Sequence, residues 1–379
     1  MPGSLASRAT GGSVTRPYAL TPGTSCTSNR DPSASRSPNK ALAFMEIDII
    51  LNEFANPAEA AELGLLAERY GLRGVWSTNY PTSQDPFFTL SLLASRSSKI
   101  RMGPLAISPF ELHPLRMGNL LYALNELCGG RGMITVGGGG AVLQAMGGER
   151  KRMIRAMREC LEILRAARDG PGQYQGEMYS VRGYKLDWAK AAPPLIYLGS
   201  NHLQSMRLAT RLADGLMTSD FCVSLMKTRV EEIHAALDAA NRARSSFRIS
   251  NVWAWHIKAD AEESQKEARR ELITRGYLAE QYFAPFLSPE ELALVRRNFR
   301  AFLTAFHDRS GRIEGVPEPL VNKMVSNISL VGGLDAIDKA VETLREFART
   351  GLTEIALRIH DDPADAIRLI GERVAPALR

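Results

Sequence analysis

The chain has 379 residues, 45% hydrophobic and 23% charged, which suits one sizeable globular core rather than a disordered chain. Residues 1–44 hold five basic groups and one acid and so supply +4 of the formal +6; the remainder is close to neutral, with no basic stripe interleaved with aromatics, so no nucleic-acid partner is expected. Cys26, Cys128, Cys160 and Cys222 lie far apart without a CxxC, and no apolar run approaches the ~18 residues of a bilayer span, which argues against a disulfide framework, structural zinc or a membrane segment and leaves the cytoplasm as the expected location.

Residues 1–44 are rich in Ser, Pro, Gly and Thr and cannot bury enough apolar surface to offset their ordering, so they read as a disordered leader. A transit peptide, a plain tail and a start codon set too early are the alternatives, since Met45 opens the first strand directly.

From Met45 strands and helices alternate. Glu46–Leu51 reads as a strand, and Pro57–Tyr70 as a helix with Pro at its start and Gly71 at its stop. Val75–Ser77 is a second strand with a helix over 86–97, Ile100–Ile107 a third with a helix over 114–128, and Gly132–Val136 a fourth running into Gly137, Gly138, Gly139 and Gly140. A long helix over 150–168 carries Met153, Met157, Leu161 and Leu164 at helical spacing. Residues 170–193 are irregular, and Tyr174, Tyr179 and Tyr184 are expected to pack that stretch onto the body. Leu195–Leu198 is a fifth strand with a helix over 202–213, Gly215–Thr218 a sixth with a helix over 223–242, and Phe247–Ile257 a seventh. Residues 262–350 are helix-rich, with Val331-Gly332-Gly333 in a turn before the helix 334–349. Glu354–Ile359 is an eighth strand, closed by a helix over 363–378.

Eight βα units imply a parallel α/β sheet closed into a single (β/α)8 TIM-type barrel over 45–379, with a helix-rich insertion at about 262–350. Periodicity alone leaves an open doubly wound sheet as the alternative. Active sites of such barrels lie at the C-terminal ends of the strands. Those ends are Asn52-Glu53-Phe54, Asn79-Tyr80, Ile107-Ser108-Pro109, Gly137–Gly140, Gly199-Ser200-Asn201, Thr218-Ser219-Asp220, Trp255-His256 and Arg358-Ile359-His360.

Gly137–Gly140 and Gly199-Ser200-Asn201 follow adjacent strands, offer unhindered backbone amides, and the second precedes a helix N-terminus; both suit an anion. Tight βα turns that need glycine are the alternative. No GxGxxG, GxxxxGK[ST] or GxSxG pattern is present, and the six histidines show no HExxH or HxH spacing, so no metal is expected. His256 and His360 end strands and stand within reach of a substrate, and Glu53 is a candidate acid or base, or else a rim charge.

The stretches KIRMGPLAISPFELHP (99–114), LNELCGGRGMITVGGG (124–139), PLIYLGSNHLQSMRLATRLADG (194–215) and GLTEIALRIHDDPADAIRLIG (351–371) resemble the luciferase-like monooxygenase superfamily, and within it the methylenetetrahydromethanopterin reductase branch. The resemblance implies an oxidoreductase that passes a hydride between coenzyme F-420 and a small organic substrate. An FMN-dependent monooxygenase using oxygen and a partner flavin reductase is one alternative, and a non-catalytic ligand-binding barrel another. It implies catalytic, substrate-side roles for Asn79 and Tyr80, where relatives often have Asp and His; His360 is the third catalytic candidate, from its place at a strand end. The resemblance places Ile107 and Ser108 beside the ring, and a distorted, cis peptide at Leu105-Ala106 behind it. It gives Gly137, Gly138, Gly139, Gly140, Gly199, Ser200 and Asn201 to the cofactor's tail and phosphate. A homodimer is a further implied feature.

Overall fold

A computed structural model describes Met45–Arg379 except Glu53; the leader 1–44 and Glu53 lie outside the described residues. Eight parallel strands close into a barrel: β1 (Glu46–Leu51), β2 (Gly74–Thr78), β3 (Arg101–Ile107), β4 (Met133–Gly137), β5 (Leu195–Gly199), β6 (Gly215–Ser219), β7 (Arg248–Trp255) and β8 (Glu354–Arg358). Each pairs with its sequence neighbour, and β8 pairs with β1 to complete the ring. Closure removes the open doubly wound alternative. The barrel's strands are short and largely buried on both sides, as parallel sheets require.

The first helices begin where proline and a capping side chain coincide. Pro57, Pro86 and Pro114 open the helices Pro57–Arg69, Pro86–Arg96 and Pro114–Leu127, with Asn56, Asp85 and His113 accepting backbone N–H groups of each first turn. Their apolar faces pack on the outer surface of the strands and form the main core. Inside the barrel, Ile50, Trp76, Met133, Tyr197, Met217 and Ala356 fill the middle layer.

Below that layer, on the N-terminal side, the interior is charged. Arg73 donates its Nε to Asp48 at 2.8 Å, pairs with Glu354 at 2.8 Å and reaches the Tyr197 hydroxyl at 3.0 Å. Trp76 Nε1 donates to Asp48 at 2.8 Å, Tyr197 donates to Glu354, and Arg248 bridges Glu354 and Glu46. Asp48, Trp76, Tyr197 and Glu354 are fully buried.

The 170–193 stretch carries an antiparallel hairpin, Gln173–Gln175 with Ser180–Arg182, whose three-residue strands the sequence reading leaves irregular. Its turn is tied down by buried Glu159, which accepts the amides of Glu177, Met178 and Tyr179. Tyr174, Tyr179 and Tyr184 pack it onto the barrel helices as expected. Between β7 and β8 the insertion contributes helices including Ala261–Arg270, Pro289–Arg297, Phe299–His307, Glu318–Ile328 and Ile337–Arg349, and a two-residue strand, Ser329–Leu330, beside β7. The C-terminal stretch is helical without a break from Pro363 to Leu378, as expected, its pitch passing from α (Pro363–Leu369) through π (Ile370–Val374) to 3-10 (Ala375–Leu378). No helix of the described residues is long and apolar enough to cross a membrane, and no group of three or more His, Cys, Asp or Glu among them is placed to hold a metal.

Candidate active site

At the C-terminal mouth of the barrel lies a cleft of two lobes, about 290 and 310 Å³, that share Leu105, Ala106, Gly138, Gly139 and Val252. The first lobe adds Ile50, Thr78, Asn79, Tyr80, Glu111, Gly137, Gly140, Tyr277 and Arg358; the second adds Thr135, Arg150, Gly199, Ser200, Asn201, His202, Ser219 and Tyr282. Strand register accounts for the meeting of the two glycine segments: Gly137 and Gly199 are direct partners across β4 and β5.

Leu105 and Ala106 line both lobes, the peptide between them is cis, and the β3–β4 register shifts there, as the resemblance implies. Ile107 and Ser108 are buried beneath the cleft instead of lining it; the Ser108 hydroxyl accepts the Phe110 amide at 3.2 Å. Asn79 donates its Nδ2 to the Ala106 carbonyl at 3.2 Å and to Glu111 Oε2 at 3.0 Å. Tyr80 lies under the Arg358 guanidinium, 5.8 Å from its ring centre.

The glycine rim offers fewer free donors than its sequence suggests. The Ser200 amide bonds to the Met217 carbonyl in the ladder, and the Gly140 amide serves Glu111. The Asn201 side chain is also engaged: it accepts the Ser219 amide at 3.0 Å and donates to the Ser219 carbonyl at 3.0 Å and the Tyr282 hydroxyl at 2.5 Å. It therefore fixes the rim between β5 and β6. Gly139 holds a left-handed φ of 92°, which suits glycine alone. A Cβ on Gly140 would meet nothing within 4 Å. The helix Leu203–Leu212 points its N-terminus, the positive end of its dipole, at the second lobe.

His360 lies elsewhere. It lines a separate cavity of about 470 Å³ beyond the ends of β7 and β8, stacked on His256 with ring centres 4.9 Å apart. Burial, then the neighbouring His256, holds the His360 imidazole well below its ordinary range, so it is neutral at pH 7. His256 hydrogen-bonds Glu267 at 2.8 Å.

Glu111, Arg150, Tyr277, Tyr282 and Arg358 reach the cleft without having been singled out as site residues. Glu111 carried one usable signal: it is the only acid between Asp85 and Glu126, just past a strand end. Burial raises its carboxyl above the usual range, opposed by hydrogen bonds from the Gly140 and Ser108 amides and the Asn79 side chain. Tyr277 comes from the insertion, on three consecutive left-handed residues, Gly276, Tyr277 and Leu278, and is 66% exposed at the mouth.

Residues 26–354 match the family described as luciferase-like monooxygenase. The chain belongs to that family. Among its curated relatives is a 5,10-methylenetetrahydromethanopterin reductase of Archaeoglobus fulgidus, 25% identical over 320 residues that cover 83% of this chain and 94% of that protein. Among solved structures, the coenzyme F-420-dependent tetrahydromethanopterin reductase of Methanopyrus kandleri superposes with a TM-score of 0.72 at 21% identity, over 89% of this chain and all of that one. An F-420-dependent secondary alcohol dehydrogenase, solved with an F-420–acetone adduct, gives a TM-score of 0.70 at 16% identity, over 88% of this chain and 99% of that one. These structural likenesses are of fold: the luciferase-like barrel expected from the sequence is the barrel observed.

Proposed function

We propose that this luciferase-like chain is an oxidoreductase that moves a hydride between coenzyme F-420 and an electrophilic carbon of a small organic substrate. The observation that carries the reading is the shape of the cleft. Leu105 and Ala106 give both lobes an apolar lining; the first lobe adds the Tyr80 and Tyr277 rings, and the second adds rim backbone, a helix N-terminus and Arg150. That pairing suits a ligand with a planar ring at one end and an anionic tail at the other. The F-420 dependence named for the two solved neighbours supports the same cofactor.

When bound, the deazaflavin supplies the hydride chemistry. The chain's own contribution is orientation and dryness. Leu105 and Ala106 would back the ring, Asn79 fixes the Ala106 carbonyl, and Gly138, Gly139 and Arg150 would hold the anionic tail. Holding ring and electrophile at reactive separation removes much of the entropic part of the barrier. Asn79, Tyr80 and Tyr277 stand where a substrate would enter.

The test is a fluorescence titration of the purified protein with oxidised F-420 and, separately, with FMN. F-420 is expected to bind at least about tenfold tighter, a difference of about 1.4 kcal/mol. Tighter FMN binding with oxygen consumption would replace this reading by a monooxygenase; binding of neither would leave a ligand-binding barrel. In the same assay Asn201→Ala is expected to weaken F-420 by roughly fivefold, about 1 kcal/mol, because the rim loses its brace to Ser219 and Tyr282. An unchanged Kd would show that the rim holds its shape without that side chain.

A further inference from the structure

The two oxidation states of a deazaflavin ring differ by two electrons and two protons, whereas a hydride carries two electrons and one proton. Each turnover therefore moves one further proton on or off the ring. Glu111 is the only carboxylate among the described residues that line the cleft. It is not a loosely held rim charge. The same Asn79 amide that grips the Ala106 carbonyl at 3.2 Å donates to Glu111 at 3.0 Å, and the Gly140 and Ser108 amides also bond to it. Its carboxyl is thus anchored one side chain away from the Leu105-Ala106 segment against which the ring would rest.

We propose that Glu111 is the proton donor and acceptor that accompanies hydride transfer in this cleft. The inference rests on the F-420 reading above. As the hydride leaves for the substrate carbon with its two electrons, the Glu111 carboxylate accepts the proton of a ring N–H. The N–H bond breaks, its electron pair stays on the ring, and an O–H bond forms on Glu111. In the opposite direction the same carboxyl returns the proton. Tyr80, Tyr277 and Arg358 are the other titratable or charged side chains lining that lobe, and Arg150 and His202 line the second. Burial keeps the Glu111 carboxyl above the ordinary glutamate range, closer to neutral pH than a surface acid, as a group that both gives and takes a proton requires.

The experiment compares wild type with Glu111→Gln, which keeps an oxygen for the Asn79 amide and removes the titrating group. Oxidised and reduced F-420 are each titrated calorimetrically into both proteins, in two buffers of different ionisation enthalpy, between about pH 5 and 8, to count protons exchanged. Ionisations of the coenzyme itself cancel in the difference between the proteins. The oxidised ring presents a bare nitrogen and should make wild type take up more protons than the variant. The reduced ring presents N–H and should make wild type release more. Affinity should change by no more than about threefold. Turnover with any accepted substrate should fall about 100-fold, within the range that general acid–base catalysis contributes. Equal proton counts in the two proteins, with both binding F-420, overturn the role of Glu111 and leave the cofactor assignment intact. Failure of wild type to bind F-420 overturns the cofactor assignment, and this inference with it. Should Glu111→Gln not fold, Glu111→Asp takes its place: its linkage midpoint should move, and an unmoved midpoint overturns the proposal.

Discussion

Gly140→Phe is expected to weaken F-420 binding about a hundredfold, about 2.8 kcal/mol, while the melting temperature stays at the wild-type value. Gly140 lines the first lobe, and a Cβ there would meet nothing within 4 Å, so the new ring enters the cleft mouth instead of the core. Its φ of −137° is negative, outside the left-handed region of Gly139, and its amide still reaches Glu111. Gly139 would be a poorer probe. Its φ of 92° and a Cβ contact of 2.6 Å with Leu143 would distort the loop whether or not a ligand binds there. Fluorescence titration beside a thermal melt checks the outcome. A Kd within about threefold of wild type in a folded protein would move the coenzyme away from the glycine rim.

Arg73→Met is expected to cost about 3–5 kcal/mol of stability, the usual penalty for removing one partner of a buried ion pair. Asp48 and Glu354 would be left facing each other, both with fully buried side chains. The deficit should depend on pH. Burial, ahead of the charge of Asp48, already raises the Glu354 carboxyl in the native protein, and Arg73 is the largest influence lowering it. A carboxyl raised by folding contributes stability that is complete below its unfolded value, about 4.3, and is lost as pH rises through the folded value. Without Arg73 the folded value climbs further, so the gap between variant and wild type should narrow on acidification and widen towards neutral pH. Denaturant unfolding of both proteins at several pH values checks it; a gap that is constant with pH would mean that the two acids do not share the burden.

The barrel was legible in the sequence because its signals are local. Pro57, Pro86 and Pro114 mark helix starts, Gly71 and Gly129 mark stops, and each short apolar run between them is a strand. What escaped is what depends on distant parts of the chain meeting. Asp48 and Glu354 read as ordinary polar positions in EIDIIL and in the eighth strand; only closure of the ring puts them inside, opposite Arg73. Glu111 and Gly140 are separated by a helix and a strand, and nothing local in either foretells the hydrogen bond that joins them. Asn201 looked free to contact a phosphate, because Tyr282, which claims its amide, lies 81 residues away. The hairpin at 173–182 escaped for another reason: strands of three residues are shorter than one full test of alternation.

Floor and roof of the cleft answer to different demands. Leu105, Gly137 and Gly199 belong to strands of the closed ladder, so a change at any of them is felt around the whole ring. Tyr277 and Tyr282 come from a stretch, residues 271–287, that contributes no strand to it. Sequence drift is therefore cheap at exposed roof positions such as Tyr277 and expensive in the floor, and a lineage can keep one way of holding its coenzyme while trying successive partners for it. A library confined to the exposed roof positions around Tyr277 is the place to look for acceptors of new shape, since the buried side chains of 271–287 that pack on the barrel stay unchanged.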